Sequence, residues 1–191
     1  MKKLLLAASL LPVFTSAIAA EYKLDPSHSN ARFYIDHFNT TTNHGGFYGI
    51  NGIVEFDPAN ETGAVEITIP VNTINTGDAG FDGHMQAADL LNEASFPAIT
   101  FKSTTWVFND HKPTEITGDL TILGKTHPVT LEATKFNCYE SPMFEGAEVC
   151  GGDFKTTIDR THWGVDFMVD NGMTKDVVLE IQVEGVKQPE Q

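Results

Sequence analysis

The stretch Val65-Glu66-Ile67-Thr68-Ile69-Pro70-Val71 places an apolar side chain at every second position. Successive side chains of an extended chain point to opposite faces. A period of two therefore puts Val65, Ile67, Ile69 and Val71 on one buried face and leaves Glu66 and Thr68 in water. The pattern recurs: Ala31, Phe33 and Ile35 alternate with Arg32, Tyr34 and Asp36, and Val177, Leu179, Ile181 and Val183 alternate with Val178, Glu180, Gln182 and Glu184. Further strands are expected over 22–24, 47–56, 98–108, 115–123, 127–136 and 152–159. Turn formers at Asp57-Pro58, Asn109-Asp110, Gly124-Lys125 and Gly151-Gly152 set them apart. The strand signals give about eight or nine strands with short connections, an all-β, antiparallel arrangement.

So many short strands must close into a barrel or pack as a sandwich, because open edges template aggregation. Alternation along nearly the whole chain suits an eight-stranded barrel, whose bore holds side chains or one elongated ligand. Periodicity is met equally well by a fully packed β core. One helix is expected over 82–92, where Met85, Ala88 and Leu91 share a face and Asp82 or the residue before it caps the first turn. Beside a barrel, such a helix would cover a mouth.

The amino terminus reads Met1-Lys2-Lys3, then an apolar run from Leu4 to Val13, then Ala17-Ile18-Ala19 before the polar Glu21. That order is a secretory signal over 1–19, of bacterial type, cleaved after Ala19. Pro12, Thr15 and Ser16 interrupt a run already short of the ~20 residues a membrane span needs, so no stable insertion is expected after cleavage. Residues 20–191 then form one domain in the periplasm or outside the cell. With 12 basic and 26 acidic residues the chain carries −14, and losing Lys2 and Lys3 makes it more acidic. Such a surface is repelled by phosphate backbones and excludes nucleic acid as a partner. Cys138 and Cys150 flank a stretch with the turn formers Pro142 and Gly146, which suggests two strands folding back on each other. In an oxidising compartment the two are expected to form a disulfide, stabilising by roughly 3 kcal/mol on the chain-entropy model.

Several segments carry more than a period. Asp25-Pro26-Ser27-His28 precedes the first long strand, and Asp82-Gly83-His84-Met85 opens the helix. Phe96-Pro97-Ala98-Ile99-Thr100-Phe101 leads into a strand, followed by Gly118-Asp119-Leu120-Thr121-Ile122-Leu123-Gly124 with Pro128-Val129-Thr130-Leu131, and then by Asp159-Arg160-Thr161-His162-Trp163-Gly164. In this order and spacing the chain resembles the YceI family of polyisoprenoid-binding proteins from about Tyr22 to Glu184. The resemblance implies a lipocalin-like extended barrel with an amphiphile, a polyprenyl lipid or isoprenoid quinone, threaded along its interior. No other cofactor is implied. Where the family has Arg-Asp-x-His-Leu, this chain has Phe81-Asp82-Gly83-His84-Met85.

Taken from the alternation, the side chains expected to line a bore are Phe33, Ile35, Phe47, Val54, Ile67, Ile69, Phe101, Leu120, Ile122, Leu131, Phe154, Ile158, Leu179 and Ile181. Met85, Leu91, Trp163, Phe167 and Met168 are expected at its mouth, where adaptable Met and broad aromatic surfaces suit a flexible ligand. Asp82, His84, His28 and Arg160 are the candidates for a polar headgroup. Burial gains roughly 25 cal/mol per Å² of apolar area, so a polyprenyl tail is driven into such a bore without hydrogen bonds. The expected function is binding and transport or storage of an isoprenoid lipid without catalysis. Exposed barrel edges or a shared mouth could support a homodimer.

Two other classes compete. A secreted hydrolase needs an activated nucleophile, and Ser29 with His28 and Asp25 is the one trio close in sequence, although neighbours on a strand point to opposite faces. A metal or haem module would draw on the seven histidines, which are scattered without His-x-x-x-His spacing.

Overall fold

The structure of the protein, a computed structural model, is described over residues 19–189. The expected leader falls outside them except for Ala19. Among the described residues there are eleven strands and one α-helix: β1 Ala20–Leu24, β2 Asn30–His37, β3 Thr41–Phe47, β4 Asn51–Asp57, β5 Thr62–Pro70, β6 Ile74–Asn75, α1 Ala79–Gln86, β7 Ala98–Asn109, β8 Lys112–Ile122, β9 Lys125–Glu140, β10 Glu148–Asp159 and β11 Asp176–Lys187. All pairings are antiparallel. Running β1-β4-β5-β7-β8-β9-β10-β11 and back to β1, eight strands close a barrel. Closure leaves no edge at that level.

At the other level, β2, β3 and β6 continue the wall. β1 and β2 are two halves of one path along β11: Leu24 pairs with Gly185 and Asn30 with Gln182, so residues 25–29 loop out while β11 advances only from 185 to 182. The fork is closed by hydrogen bonds. Asp25 N–H donates to the Glu184 carbonyl at 2.8 Å, while the Ser29 hydroxyl donates to that carbonyl at 3.2 Å and accepts from Glu184 N–H at 3.1 Å.

The expected strand over 47–56 is broken. β3 ends at Phe47 and β4 begins at Asn51 because the chain changes partner there, from β6 to β5. Gly49 permits the crossing: a Cβ there would lie 2.5 Å from Thr73 Cγ2. Residues 71–73 break the next path with one 3-10 turn. β3 itself was not expected, since Thr41-Thr42-Asn43-His44-Gly45-Gly46 shows no apolar alternation and is held by its ladder to β2.

The helix also differs. It spans Ala79–Gln86, not 82–92, because Asp78 is its cap, accepting from Phe81 N–H at 2.8 Å. It stops where Ala87 turns extended, and Leu90 and Leu91 are buried from the turns that follow. Above the β5–β7 ladder, which ends at Pro70 and Ala98, β6 does not pair with β7, and the segment containing α1 connects them. The carboxylate of Asp82 fastens it by accepting from Thr76 N–H and Thr76 Oγ1, both at 2.7 Å.

Inside, bulky rings lie against glycines on neighbouring strands. A Cβ on Gly45 would sit 2.7 Å from Phe33 Cζ, its register partner's ring, and one on Gly118 would sit 2.5 Å from Phe101 Cζ. With no side chain beneath them, these rings lie back against the wall. The same strands therefore form a bore and not a filled core.

Candidate ligand-binding bore

A cavity of about 430 Å³ occupies the bore. Its presence explains a burial pattern that a packed core would not give: on β11, Val177, Leu179 and Ile181 point inward yet are only partly buried, because they face empty space. Of the bore residues expected from the alternation, Phe33, Ile35, Phe47, Ile67, Ile69, Phe101, Leu120, Ile122, Leu131, Ile158, Leu179 and Ile181 line this cavity. Val54 and Phe154 do not. They line a second, smaller cavity of about 60 Å³ deeper in the barrel, beside the disulfide.

The outer end is framed by the β2–β3 turn, α1 and the segment between β10 and β11. His84, Met85, Leu91, Phe167 and Met168 lie on the lining, as does Phe38, whose backbone adopts a positive φ of 55° in the β2–β3 turn. His84 sits edge-on to Phe167 at 5.1 Å between ring centroids, and stacks with Phe81 at 6.3 Å. Phe81 lines the cavity as an apolar wall.

Trp163 is not at the mouth. It is 2% exposed, packed in the core with its indole N–H donating to the Leu120 carbonyl at 3.0 Å. A buried indole needs a partner for its N–H, and the end of β8 supplies one. Asp82 is likewise absent from the lining, because Thr76 occupies its carboxylate. His28 lies at the β1–β2 fork, exposed and paired through Nδ1 with Asp25 at 2.8 Å.

Arg160 does line the cavity, but its guanidinium is turned to backbone. Nε donates to the Thr174 carbonyl at 3.1 Å, Nη1 to Val165 at 2.8 Å, and Nη2 to Phe167 and Thr174, both at 3.0 Å. Burial disfavours its charge, and the nearby Asp166 and Asp159 partly offset this. The consequence is structural: one charged fork closes the 160–175 segment over the barrel end.

Sequence reasoning left out Ala31, Ile99, Val129 and Val177, which line the cavity in phase with expected neighbours on β2, β7, β9 and β11, and it gave no signal for Phe38, Ile50, Phe81, Leu90 and Met173. The last five lie at turns, strand breaks or in α1, where a period of two gives no direction. The trio Asp25, His28 and Ser29 does not assemble a nucleophile, since Ser29 is 1% exposed and its hydroxyl is bound to the backbone of Glu184. Among the described residues no group of three or more His, Cys, Asp or Glu is placed to hold a metal ion, and no helix is long and apolar enough to cross a membrane. Cys138 and Cys150 are register partners and are bonded.

A closed, extended antiparallel barrel with one short helix at the seam and an apolar hollow along its axis defines a lipocalin-like binding barrel. The chain matches the YceI-like domain over residues 22–185, and it belongs to that family. Protein YceI of Salmonella newport is 37% identical, covering 98% of this chain and all of the relative. Among solved structures, the YceI protein of Campylobacter jejuni superposes with a TM-score of 0.70 at 24% identity, covering 81% of this chain and 91% of its own. Burkholderia cenocepacia BcnA superposes at 0.67 with 20% identity, over 84% and 98% of the two chains. A polyisoprenoid binding domain from Saccharophagus degradans, implicated in plant cell wall breakdown, gives 0.61 at 12% identity over 89% and 99%.

Proposed function

We propose that this protein is a non-enzymatic carrier or store for an isoprenoid lipid, a polyprenyl lipid or isoprenoid quinone, in the periplasm or outside the cell. The observation that carries the reading is the character of the 430 Å³ cavity: aliphatic, aromatic and methionine side chains line it, with Arg32, His37, Asn43, His84 and Arg160 as the polar residues. Its volume falls in the range of small-molecule sites, and its chemistry suits a chain and not a polar metabolite. The naming of the Saccharophagus relative supports a polyisoprenoid tail. A bore of this kind holds the tail by apolar burial alone, so tail chemistry can vary while the headgroup stays near His84 and the mouth. The expected leader directs the protein to a compartment where an apolar chain otherwise has only membranes to dissolve in.

Native mass spectrometry with lipid extraction, on protein taken from its own secretory compartment, tests this. A stoichiometric isoprenoid mass is expected. Protein that stays free of lipid and takes up neither added polyprenol nor added quinone would overturn the reading.

A further inference from the structure

The two cavities share four lining residues: Ile67 on β5, Phe101 on β7, Leu131 on β9 and Ile181 on β11. Ile67 and Phe101 are direct register partners. Two of the four sit side by side on the neighbouring strands β5 and β7 and two on β9 and β11, and together they mark a waist where the 430 Å³ chamber meets the 60 Å³ chamber below it. Below the waist the walls are again apolar, formed by Trp106, Phe136, Phe154 and Cys150 among others. An apolar void of this size is large enough for water but stays dry, since water there would find no partners. Its lining lacks contacts on the open side, and an apolar chain end would supply them.

We propose that the deep chamber is a separate binding site for the terminal units of the tail, and that Phe101 is the residue that sets which chain lengths reach it. This rests on the isoprenoid-carrier reading. Phe101 is the one aromatic side chain of the waist, and its position is fixed by an absence, because any Cβ at Gly118 would strike its Cζ and Cε2 at 2.5 and 2.7 Å. The ring lies across Gly118, and how far it stands off the wall decides whether the waist is open. Tails short enough to end above Phe101 fill the upper chamber only. Longer tails pass the ring and gain the deep contacts, so affinity rises in a second step with chain length. The protein thereby selects long isoprenoids over short ones by depth, without reading the headgroup.

The test uses all-trans polyprenols graded by one isoprene unit, with affinities from native mass spectrometry on the full mature chain. In the unaltered protein, affinity is expected to climb, and Trp106 emission is expected to shift only with chains beyond a threshold length. Trp106→Phe removes that emission signal. Ile181→Phe, which fills the waist, should weaken the longest chains about tenfold more than it weakens the short ones. The Trp106 response of the unaltered protein is an independent measurement should Ile181→Phe fold poorly. Polyprenols that bind with one smooth length dependence, leave Trp106 unmoved and are indifferent to Ile181→Phe would overturn the chamber while leaving the carrier intact. If no polyprenol binds at any length, the carrier reading falls and the chamber with it.

Discussion

Arg160 is 5% exposed, and its hydrogen bonds in the fold run to carbonyls of Val165, Phe167 and Thr174. Arg160→Met keeps the stem but leaves those acceptors without their donor, and each buried unpaired group costs about 1–3 kcal/mol. The variant should lose at least about 3 kcal/mol in urea unfolding, with faster amide exchange confined first to 160–175. Asp25 and His28 make a different kind of contact, exposed and dependent on pH. The hydrogen bond from His28 holds Asp25 below the usual carboxylate range, and the same bond raises His28. The raised imidazole contributes stability below its unfolded value and loses it as pH rises through its folded one. The lowered carboxylate contributes above its unfolded value and loses it on acidification. The pair therefore stabilises fully between about pH 4 and 6.5. In a proton-resolved titration His28 should titrate above its ordinary value, and Asp25→Asn should return it there. None of this was legible from the residues alone, because a buried arginine facing carbonyls and one facing a headgroup read the same in sequence.

At the scale of elements, the uninterrupted strands were the legible ones. On β7, β8 and β11 the apolar alternation pointed to Phe101, Leu120, Leu179 and Ile181, and these do face the bore. The illegible parts are those whose structure is made by backbone. β3 holds its place through a ladder across Gly45 and Gly46, which have no side chains to alternate. The break after Phe47 depends on how closely Gly49 passes Thr73, a contact between segments far apart in sequence. Trp163, expected at the mouth, is buried for the related reason that its partner, the Leu120 carbonyl, lies on β8, 43 positions away in sequence. The β9–β10 hairpin is pinned by the bond between Cys138 and Cys150, 12 positions apart. Replacing both with Ser should lower the unfolding free energy by about 2–3 kcal/mol with little change in the β signal, measured by circular dichroism and thermal unfolding.

For the whole molecule, a hollow core means that stability and occupancy are linked. Inward residues that face the cavity bury less area than they would in a filled barrel. A tail that binds only the folded state adds about 2.7 kcal/mol at a hundred times its Kd. For a chain of this size that corresponds to a rise of roughly 5–10 °C in Tm, growing with the logarithm of lipid concentration. A Tm indifferent to added polyprenol, measured by calorimetry, would contradict the carrier reading. The place where β6 and β7 do not pair sets how such a wall yields. Around the rest of the cylinder, parting two strands means breaking a row of backbone hydrogen bonds together. Along that one line no ladder joins the strands, and the connection through α1, tied back to the end of β6 by the Asp82 carboxylate on Thr76, stands in its place. Lower down, the β5–β7 ladder keeps the cylinder shut, so the barrel is a rigid cup with one soft lip, and whatever give its wall has is spent at the rim and not along its length.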